Sequence, residues 1–160
     1  CKIVAIDNSP AMIDRCRHII ALDSHPTDVT LIEGDIQDQK IENASVVVLN
    51  FTLQFLPIND RKQLLQTIFD GMNEGAILVL SEKVKFADDH LQTLNTDLHH
   101  SFKRANGYSD LEIAQKRTSL ENVLIPETLD EHQARIKAIG FSSCDVWFQC
   151  FNFASLVAIK

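Results

Sequence analysis

Residues 3–12 read Ile3-Val4-Ala5-Ile6-Asp7-Asn8-Ser9-Pro10-Ala11-Met12 and join a short apolar run to the start of a helix. The four apolar side chains predict a buried strand that ends at Asp7. Ser9 is a favourable N-cap residue and Pro10 suits the first helical position, so a helix is predicted directly after the strand. A strand, a short polar loop and a helix in this order are the first half of a β-α-β unit.

The chain beyond this stretch continues the alternation of strands and helices. Strands are predicted at residues 29–33, 45–51 and 76–80, and a helix with a regular apolar stripe opens at Asn59-Asp60. The continuous run Val46-Val47-Val48-Leu49 is typical of a parallel strand that is covered on both faces. Because helices separate these apolar strands, we predict a mostly parallel sheet and an α/β fold.

The C-terminal half departs from a minimal α/β unit. Two helices, predicted at residues 88–104 and 109–122, form a helical insert at about 86–126. Strands predicted at 143–150 and 152–159 follow each other too closely for an intervening helix, so we expect an antiparallel hairpin. All of residues 1–160 are expected to form one domain.

Capping residues mark the helix ends in this half. Ser109 with Glu112 and Thr128 with Glu131 have the spacing of a capping box, which opens a helix. Gly140 is a favourable C-terminal stop for the second of these helices.

The composition limits the class of protein. A length of 160 residues with 45% hydrophobic content fits one globular domain, and a net charge of -7 argues against direct nucleic-acid binding. The four cysteines form no CxxC pair and have no histidine at metal-ligand spacing, so no metal is expected. No apolar run approaches the roughly 20 residues of a membrane helix. We therefore expect a cytoplasmic protein that does not bind a membrane.

Polar residues occur where three successive predicted strands end. Ligands of open α/β sheets bind at these carboxyl ends. Asp7 suits a ribose diol, because one carboxylate can accept hydrogen bonds from both hydroxyl groups. Asp35 is placed to accept from an adenine amino group, with the Ile36 N–H toward a ring nitrogen. Asn50 is placed to contact the rest of the nucleoside or an attached amino acid.

Each of these residues also has a purely structural interpretation. An aspartate after a strand is commonly a turn or cap residue, and Asp7 would then cap the helix together with Ser9. Asn50 would then only form hydrogen bonds with backbone groups of the loop. The repetition of polar residues at three successive strand ends favours a nucleoside site, but it does not distinguish S-adenosylmethionine from NAD.

Four longer segments narrow the choice of nucleotide. They are Ala5-Ile6-Asp7-Asn8-Ser9-Pro10-Ala11-Met12, Glu33-Gly34-Asp35-Ile36, Leu49-Asn50-Phe51-Thr52-Leu53-Gln54-Phe55-Leu56-Pro57 and Glu74-Gly75-Ala76-Ile77-Leu78-Val79-Leu80-Ser81-Glu82. In order and spacing they resemble the cofactor-binding segments of class I S-adenosylmethionine-dependent methyltransferases. The resemblance implies a Rossmann-like sheet in which Asp7 and Asn8 bind ribose, Asp35 and Ile36 bind adenine, and Asn50 completes the site.

A second set of segments is similar to one branch of these enzymes. They are Asn106-Gly107-Tyr108-Ser109, Gln115-Lys116-Arg117, Leu120-Glu121-Asn122-Val123 and Trp147-Phe148-Gln149-Cys150-Phe151-Asn152-Phe153. They resemble the carboxy-S-adenosylmethionine synthase family. The resemblance implies a homodimer that converts S-adenosylmethionine and prephenate to carboxy-S-adenosylmethionine and phenylpyruvate, for carboxymethylation of wobble uridine in tRNA.

In that family an arginine binds the carboxylate, and Arg117 occupies its place. Arg117 is therefore expected to be a catalytic residue and to contact the S-adenosylmethionine-derived molecule. The first strand and the glycine-rich loop of the family have no counterpart in these residues, and we expect them to be absent from this chain.

The same residues have plainer interpretations without the resemblance. Lys116-Arg117 on a polar helix face is usually solvated, and Lys103-Arg104 and His99-His100 are typical surface charges near a helix C-terminus. The aromatic residues around Trp147 suggest core or a subunit interface, and His132 is expected on the surface of a helix. An ordinary methyltransferase of a small molecule or RNA, or a nucleotide-binding module without catalysis, stays open as an alternative.

Overall fold

The computed structural model describes residues 1–24, 27–120 and 123–160, and its contacts divide the chain into two compact units, Cys1–Lys40 and Ile41–Lys160. The first unit consists of strand β1 (Lys2–Asp7), helix α1 (Pro10–Leu22) and strand β2 (Asp28–Glu33). β1 and β2 pair in parallel from Lys2 opposite Asp28 to Asp7 opposite Glu33. The single domain expected for residues 1–160 stays a prediction.

The start of α1 agrees with the sequence. The Ser9 side chain accepts a hydrogen bond from the Met12 N–H at 3.4 Å, and Pro10 is the first helical residue. Ile13 of α1 is fully buried. The predicted strand end at Asp7 and the helix start after Ser9 are both confirmed.

The second unit contains the rest of the secondary structure. Its elements are β3 (Ala44–Asn50), α2 (Ile58–Gly71), β4 (Met72–Lys83), α3 (Asp89–Ala105), α4 (Asp110–Leu120), α5 (Leu129–Ile139), β5 (Ser143–Cys150) and β6 (Phe153–Ile159). Its sheet has the order β3-β4-β6-β5. β3 and β4 are parallel, whereas β6 is antiparallel to both β4 and β5. The α/β class and the C-terminal antiparallel hairpin are confirmed.

The core of the second unit lies between its sheet and helices α2 and α5. The buried apolar side chains include Leu64, Leu65 and Ile68 of α2, Leu78 and Leu80 of β4, Ile136 of α5 and Leu156 of β6. α5 packs against α2 and β5. This packing fixes the carboxyl ends of β3 and β4, where the candidate site begins.

The predicted capping devices form hydrogen bonds. Thr128 and Glu131 form a complete capping box at the start of α5, and Gly140 ends that helix at a φ of 124°. The Glu112 N–H donates to the Ser109 hydroxyl at 3.3 Å, and the Glu112 carboxylate accepts from the Ser109 N–H at 2.8 Å. The predicted end of α4 at Asn122 lies outside the described residues.

The structure corrects the bounds of β4 and the environments of two side chains. β4 begins at Met72 rather than Ala76, because Gly75 takes a φ of 72° and its N–H donates to the Lys160 carbonyl, which keeps the segment on the sheet. His132 is not on the surface but is 1% exposed, since its helix face packs into the core. Trp147 is 65% exposed and so is not a core residue.

Candidate functional site

The polar residues that follow β1 and β2 lie together in the first unit. The Asp7 carboxylate accepts a hydrogen bond from the Ser9 N–H at 2.8 Å, which is the structural role that an aspartate before a helix often has. The Asn8 side-chain amide donates to the Asp35 carboxylate at 2.7 Å. Asn8 and Asp35 are therefore brought together, and Asp7 precedes this pair in the loop.

The Asp35 side chain does not cap the helix that follows it. Asp35 immediately precedes the short 3-10 helix Ile36–Asp38, but its side chain accepts no hydrogen bond from that helix. Its main-chain carbonyl accepts from the Gln39 side chain at 3.3 Å. The carboxylate is exposed and keeps acceptor capacity beyond the bond from Asn8, which suits an adenine amino group.

In the second unit, β3 ends in a strained backbone. Phe51, the residue after Asn50, has a φ of 55°, and its N–H donates to the Ser81 carbonyl at 2.7 Å. Such a φ is uncommon for a bulky residue and often accompanies functional loops. Of these two residues, Phe51 lines a cavity and Asn50 is exposed at the strand end.

The cavity has a volume of about 570 Å³ and combines apolar walls with cationic groups. Its lining consists of Phe51, Gln54, Phe55, Lys83, Thr96, His99, His100, Lys103, Ile113, Lys116, Arg117, Leu120, Leu124, Pro126 and Phe153. Within the described ranges, no aspartate or glutamate lines it. A cavity of this size suits a small anion with an apolar body.

Four basic side chains line this cavity, and we refer to Lys83, Lys103, Lys116 and Arg117 as the cation cluster. The pKa of Lys83 is lowered by burial and by the charges of Lys103 and Arg117. None of the four makes an ion pair with a described residue. Like charges held together, with no carboxylate among the described residues ion-paired to them, favour the binding of an anion.

Two histidines lie beside the cation cluster. Burial and the charges of Lys103, His100 and Lys83 lower the pKa of His99 to about 4. The His99 ring also packs edge-to-face on Phe153, with 4.9 Å between ring centroids. At neutral pH His99 is therefore an uncharged imidazole in an aromatic wall.

The loop after β3 is held by a buried carboxylate. Glu82 accepts hydrogen bonds from the N–H groups of Thr52, Leu53 and Gln54 at 3.2, 2.8 and 3.2 Å. Burial raises the pKa of Glu82 to about 7, although the three N–H groups and Arg61 oppose that rise. Glu82 thus fixes the backbone that carries Gln54 to the cavity wall.

A buried arginine joins this loop to the segment after α4. Arg61 donates to the carbonyls of Leu56, Gln54 and Ile125 at 3.0, 3.3 and 2.8 Å, and it pairs with Glu127. Arg135 pairs with the other carboxylate oxygen of Glu127. Two cavity walls, residues 51–55 and 124–126, are held in place by this network.

Sequence reasoning identified Arg117 but not its surroundings. Lys103 and His99, expected as surface charges, line the cavity, and Lys83 and Gln54 had drawn no functional interpretation. The signal for Lys83 was a cation at the end of an apolar strand. Because Gln54 is neutral, only its place in the loop after a strand end pointed to it.

Within residues 1–24, 27–120 and 123–160, no group of three or more His, Cys, Asp or Glu residues is arranged to hold a metal ion. No helix in the same residues combines the length and hydropathy needed to cross a membrane.

Comparison with known proteins points to one family. A sequence profile described as a methyltransferase domain matches residues 1–75. Carboxy-S-adenosyl-L-methionine synthases of Trichlorobacter lovleyi, Shewanella pealeana and Escherichia coli are 60%, 61% and 59% identical to the chain over its whole length. The chain spans 66%, 66% and 65% of these relatives, respectively.

Solved structures agree on the fold. Human N-acetylserotonin methyltransferase in complex with SAM covers 100% of the chain with a TM-score of 0.63 at 15% identity, and the chain covers 41% of it. Magnesium protoporphyrin IX methyltransferase from Synechocystis PCC 6803 with bound SAH also covers 100%, with a TM-score of 0.66 at 11% identity; the chain covers 64% of it. The Rossmann-like fold of class I methyltransferases is thereby confirmed.

Proposed function

This chain belongs to the carboxy-S-adenosyl-L-methionine synthase family, and we propose on that basis that the complete protein makes carboxy-S-adenosyl-L-methionine. Its substrates are S-adenosyl-L-methionine and prephenate, and the second product is phenylpyruvate. The carboxylated product serves the carboxymethylation of wobble uridine in tRNA. No metal takes part.

The chemistry needs a carboxyl group to move between two bound molecules. Prephenate releases its ring carboxyl group as carbon dioxide and its ring hydroxyl group as water, which leaves the aromatic ring of phenylpyruvate. The sulfonium acidifies the methyl group of S-adenosylmethionine, so this carbon loses a proton and its electron pair attacks carbon dioxide. The released proton leaves with the ring hydroxyl group as water. The protein has to bind anions and exclude water while this happens.

The cation cluster is the single observation that carries the proposal. Lys83, Lys103, Lys116 and Arg117 line one cavity together with the aromatic rings of Phe51, Phe55 and Phe153. A cyclic dicarboxylate presents the complementary surface, with two negative charges on an apolar ring. An ordinary methyltransferase substrate has no need of such a concentration of positive charge.

In the first unit, we propose that the nucleoside binds at the ends of β1 and β2. Asp7 and Asn8 bind the ribose, and Asp35 with the Ile36 N–H binds adenine. The bond between Asn8 and Asp35 supports this, because it already holds two of these polar side chains together. In the second unit, Asn50 at the end of β3 contacts the remainder of the cofactor.

Arg117 is the residue that tests the proposal, and its guanidinium binds the transferred carboxylate. Arg117→Ala in the complete protein should lower the formation of carboxy-S-adenosylmethionine from prephenate by roughly a hundredfold or more, because two charge-assisted hydrogen bonds are lost. Arg117→Lys should recover little, since an ammonium lacks the planar two-pronged geometry. Turnover is measured by mass spectrometry of the products.

The matched control is Arg104→Ala, which removes a cation that pairs with Asp110 on the surface. This variant should keep wild-type turnover. S-adenosylhomocysteine affinity, measured on each variant, reports whether the nucleoside contacts are intact. Wild-type turnover in Arg117→Ala, or plain methyl transfer without carboxylation in the unmodified protein, contradicts the proposed function.

We also propose that the protein is a homodimer. An exposed apolar stripe on α3 consists of Leu91, Leu94, Leu98 and Phe102. This stripe supports a homodimer contact at the helical insert. We further propose that this homodimer is cytoplasmic and does not itself bind nucleic acid. Sedimentation of the complete protein measures the dimer directly.

A further inference from the structure

Almost every polar atom of Gln54 forms a hydrogen bond within the protein. Its N–H donates to Glu82 at 3.2 Å, and its carbonyl accepts from the Ile125 N–H at 2.9 Å and from Arg61 at 3.3 Å. Its side-chain Oε1 accepts from the Lys83 N–H at 3.0 Å. Because a backbone N–H can only donate, this bond fixes which end of the amide is oxygen.

One atom remains, the side-chain Nε2. Among the described residues it has no hydrogen-bond partner. The residue is only 4% exposed, and it lines the cavity that the cation cluster surrounds. Nε2 is not among the buried unpaired side-chain atoms of the described residues, so it is accessible, and the cavity is the space from which an acceptor reaches it.

We propose that Gln54 is a specificity-determining residue whose Nε2 donates a hydrogen bond to an oxygen of the anion bound in this cavity. Charges of the cation cluster attract any small anion, with little preference for where its oxygens lie. A neutral donor held in one orientation by Lys83, Glu82 and Arg61 selects an anion by the position of one oxygen. The identification of that anion as prephenate rests on the proposed function.

Two substitutions separate the donor from the scaffold. Gln54→Glu keeps an oxygen to accept from the Lys83 N–H but replaces the amino group with a second acceptor. Gln54→Met has similar length and removes both groups. Gln63→Glu and Gln63→Met are the matched controls, because Gln63 is exposed on α2 and lies outside the cavity lining.

The readout is the affinity of the complete protein for prephenate and for phenylpyruvate, measured by calorimetry. Both Gln54 variants should bind prephenate roughly tenfold to a hundredfold more weakly than wild type, which is the effect of losing one hydrogen bond to a charged group. Gln54→Glu should bind at least as weakly as Gln54→Met. The Gln63 variants should match wild type, and S-adenosylhomocysteine affinity should be unchanged in all four.

The outcomes distinguish this inference from the proposed function. Wild-type affinity in Gln54→Glu with weak binding in Gln54→Met assigns Gln54 a structural role and overturns the inference, as does wild-type affinity in both. If wild type binds prephenate but makes no carboxylated product, the proposed function fails, and the affinity ratios still decide the role of Gln54. If wild type binds neither anion, both are overturned.

Discussion

The carboxylates of Asp7 and Asp35 make different local hydrogen bonds. Asp7 accepts from the Ser9 N–H and so helps to form the turn into α1. Asp35 makes no bond of this kind with the helix that follows it, and its partner is the Asn8 amide. Loss of Asp7 would disturb the turn as well as any ligand, so Asp35 is the cleaner probe of a nucleoside site.

We expect Asp35→Ala to weaken S-adenosylhomocysteine binding to the complete protein by roughly tenfold to a hundredfold, because a charged acceptor of the adenine is lost. Asp38→Ala is the control, since Asp38 is also exposed and lies three residues further along. Titration calorimetry measures both. Equal affinity in Asp35→Ala and wild type would remove Asp35 from the nucleoside site.

His132 should make stability depend on pH. Burial lowers its pKa to about 4, with Arg135 and Arg61 adding to the shift and Glu127 and Glu131 opposing it. The unfolded chain takes up this proton near pH 6.5, before the folded state does, so stability is lost as the pH falls from 6.5 toward 4. The loss from this residue is roughly 3 kcal/mol at most.

Comparison with His132→Leu isolates this contribution. Urea unfolding at pH 7 and at pH 5 should show a smaller pH dependence in the variant than in wild type. Glu82 and His99 titrate over neighbouring ranges, but they are the same in both proteins. An identical pH dependence would mean that His132 does not stay neutral in the folded protein.

At the scale of the element, local signals predicted the helices well. Ser9, Thr128 and Gly140 mark helix ends because capping involves only residues a few positions apart. Arg61 had no such signal. It lies on α2 like any solvated cation, yet it is fully buried because carbonyls and Glu127 from other segments converge on it. Partners distant in sequence leave no trace in the periodicity of a helix.

The C-terminal end of α2 depends on Lys160. Its ammonium donates to the carbonyls of Phe69 and Met72 at 2.6 and 2.8 Å and lies 4.6 Å from the centre of the Phe69 ring. A cation there satisfies carbonyls that the helix leaves unpaired and interacts favourably with its dipole. Lys160→Met should therefore destabilise the protein by about 1 kcal/mol and lower Tm by roughly 2–4 °C.

Lys62→Met is the control for that experiment, because Lys62 is exposed near the N-terminal end of the same helix. Differential scanning calorimetry should show no loss of Tm in this variant. A Tm for Lys160→Met that matches Lys62→Met would show that the carbonyls at the end of α2 are equally well satisfied by water.

At the scale of the whole chain, the cavity is built from segments that are far apart in sequence. Five of its lining residues come from five different elements or loops: Phe51, Lys83, His99, Arg117 and Phe153. Strand ends were predictable because the order of strands and helices fixes where they lie. The cavity was not predictable in this way, since only the packing of the insert helices brings its cations together. Arg117 was identified through family resemblance, and its surroundings required the structure.

The two sheets also predict how residues 1–160 behave when expressed alone. β3 is the first strand of its sheet, and among the described residues its outer edge pairs with no other strand. Val46 and Val48 on β3 are 58% and 59% exposed, and Ile3 and Val4 on β1 are 43% and 53% exposed. An open edge with exposed apolar side chains favours edge-to-edge association.

We therefore expect residues 1–160 alone to self-associate and to show no cooperative thermal transition. Light scattering and scanning calorimetry measure these two properties. Replacing Val46 and Val48 by lysine should reduce the association, because charged side chains on an edge strand oppose pairing with a second chain. The same double substitution at the exposed positions Gln115 and Thr118 of α4, which are not on a strand, is the control. A monomer with one sharp transition would contradict the prediction, since it would mean that the open edge of β3 costs the fold little.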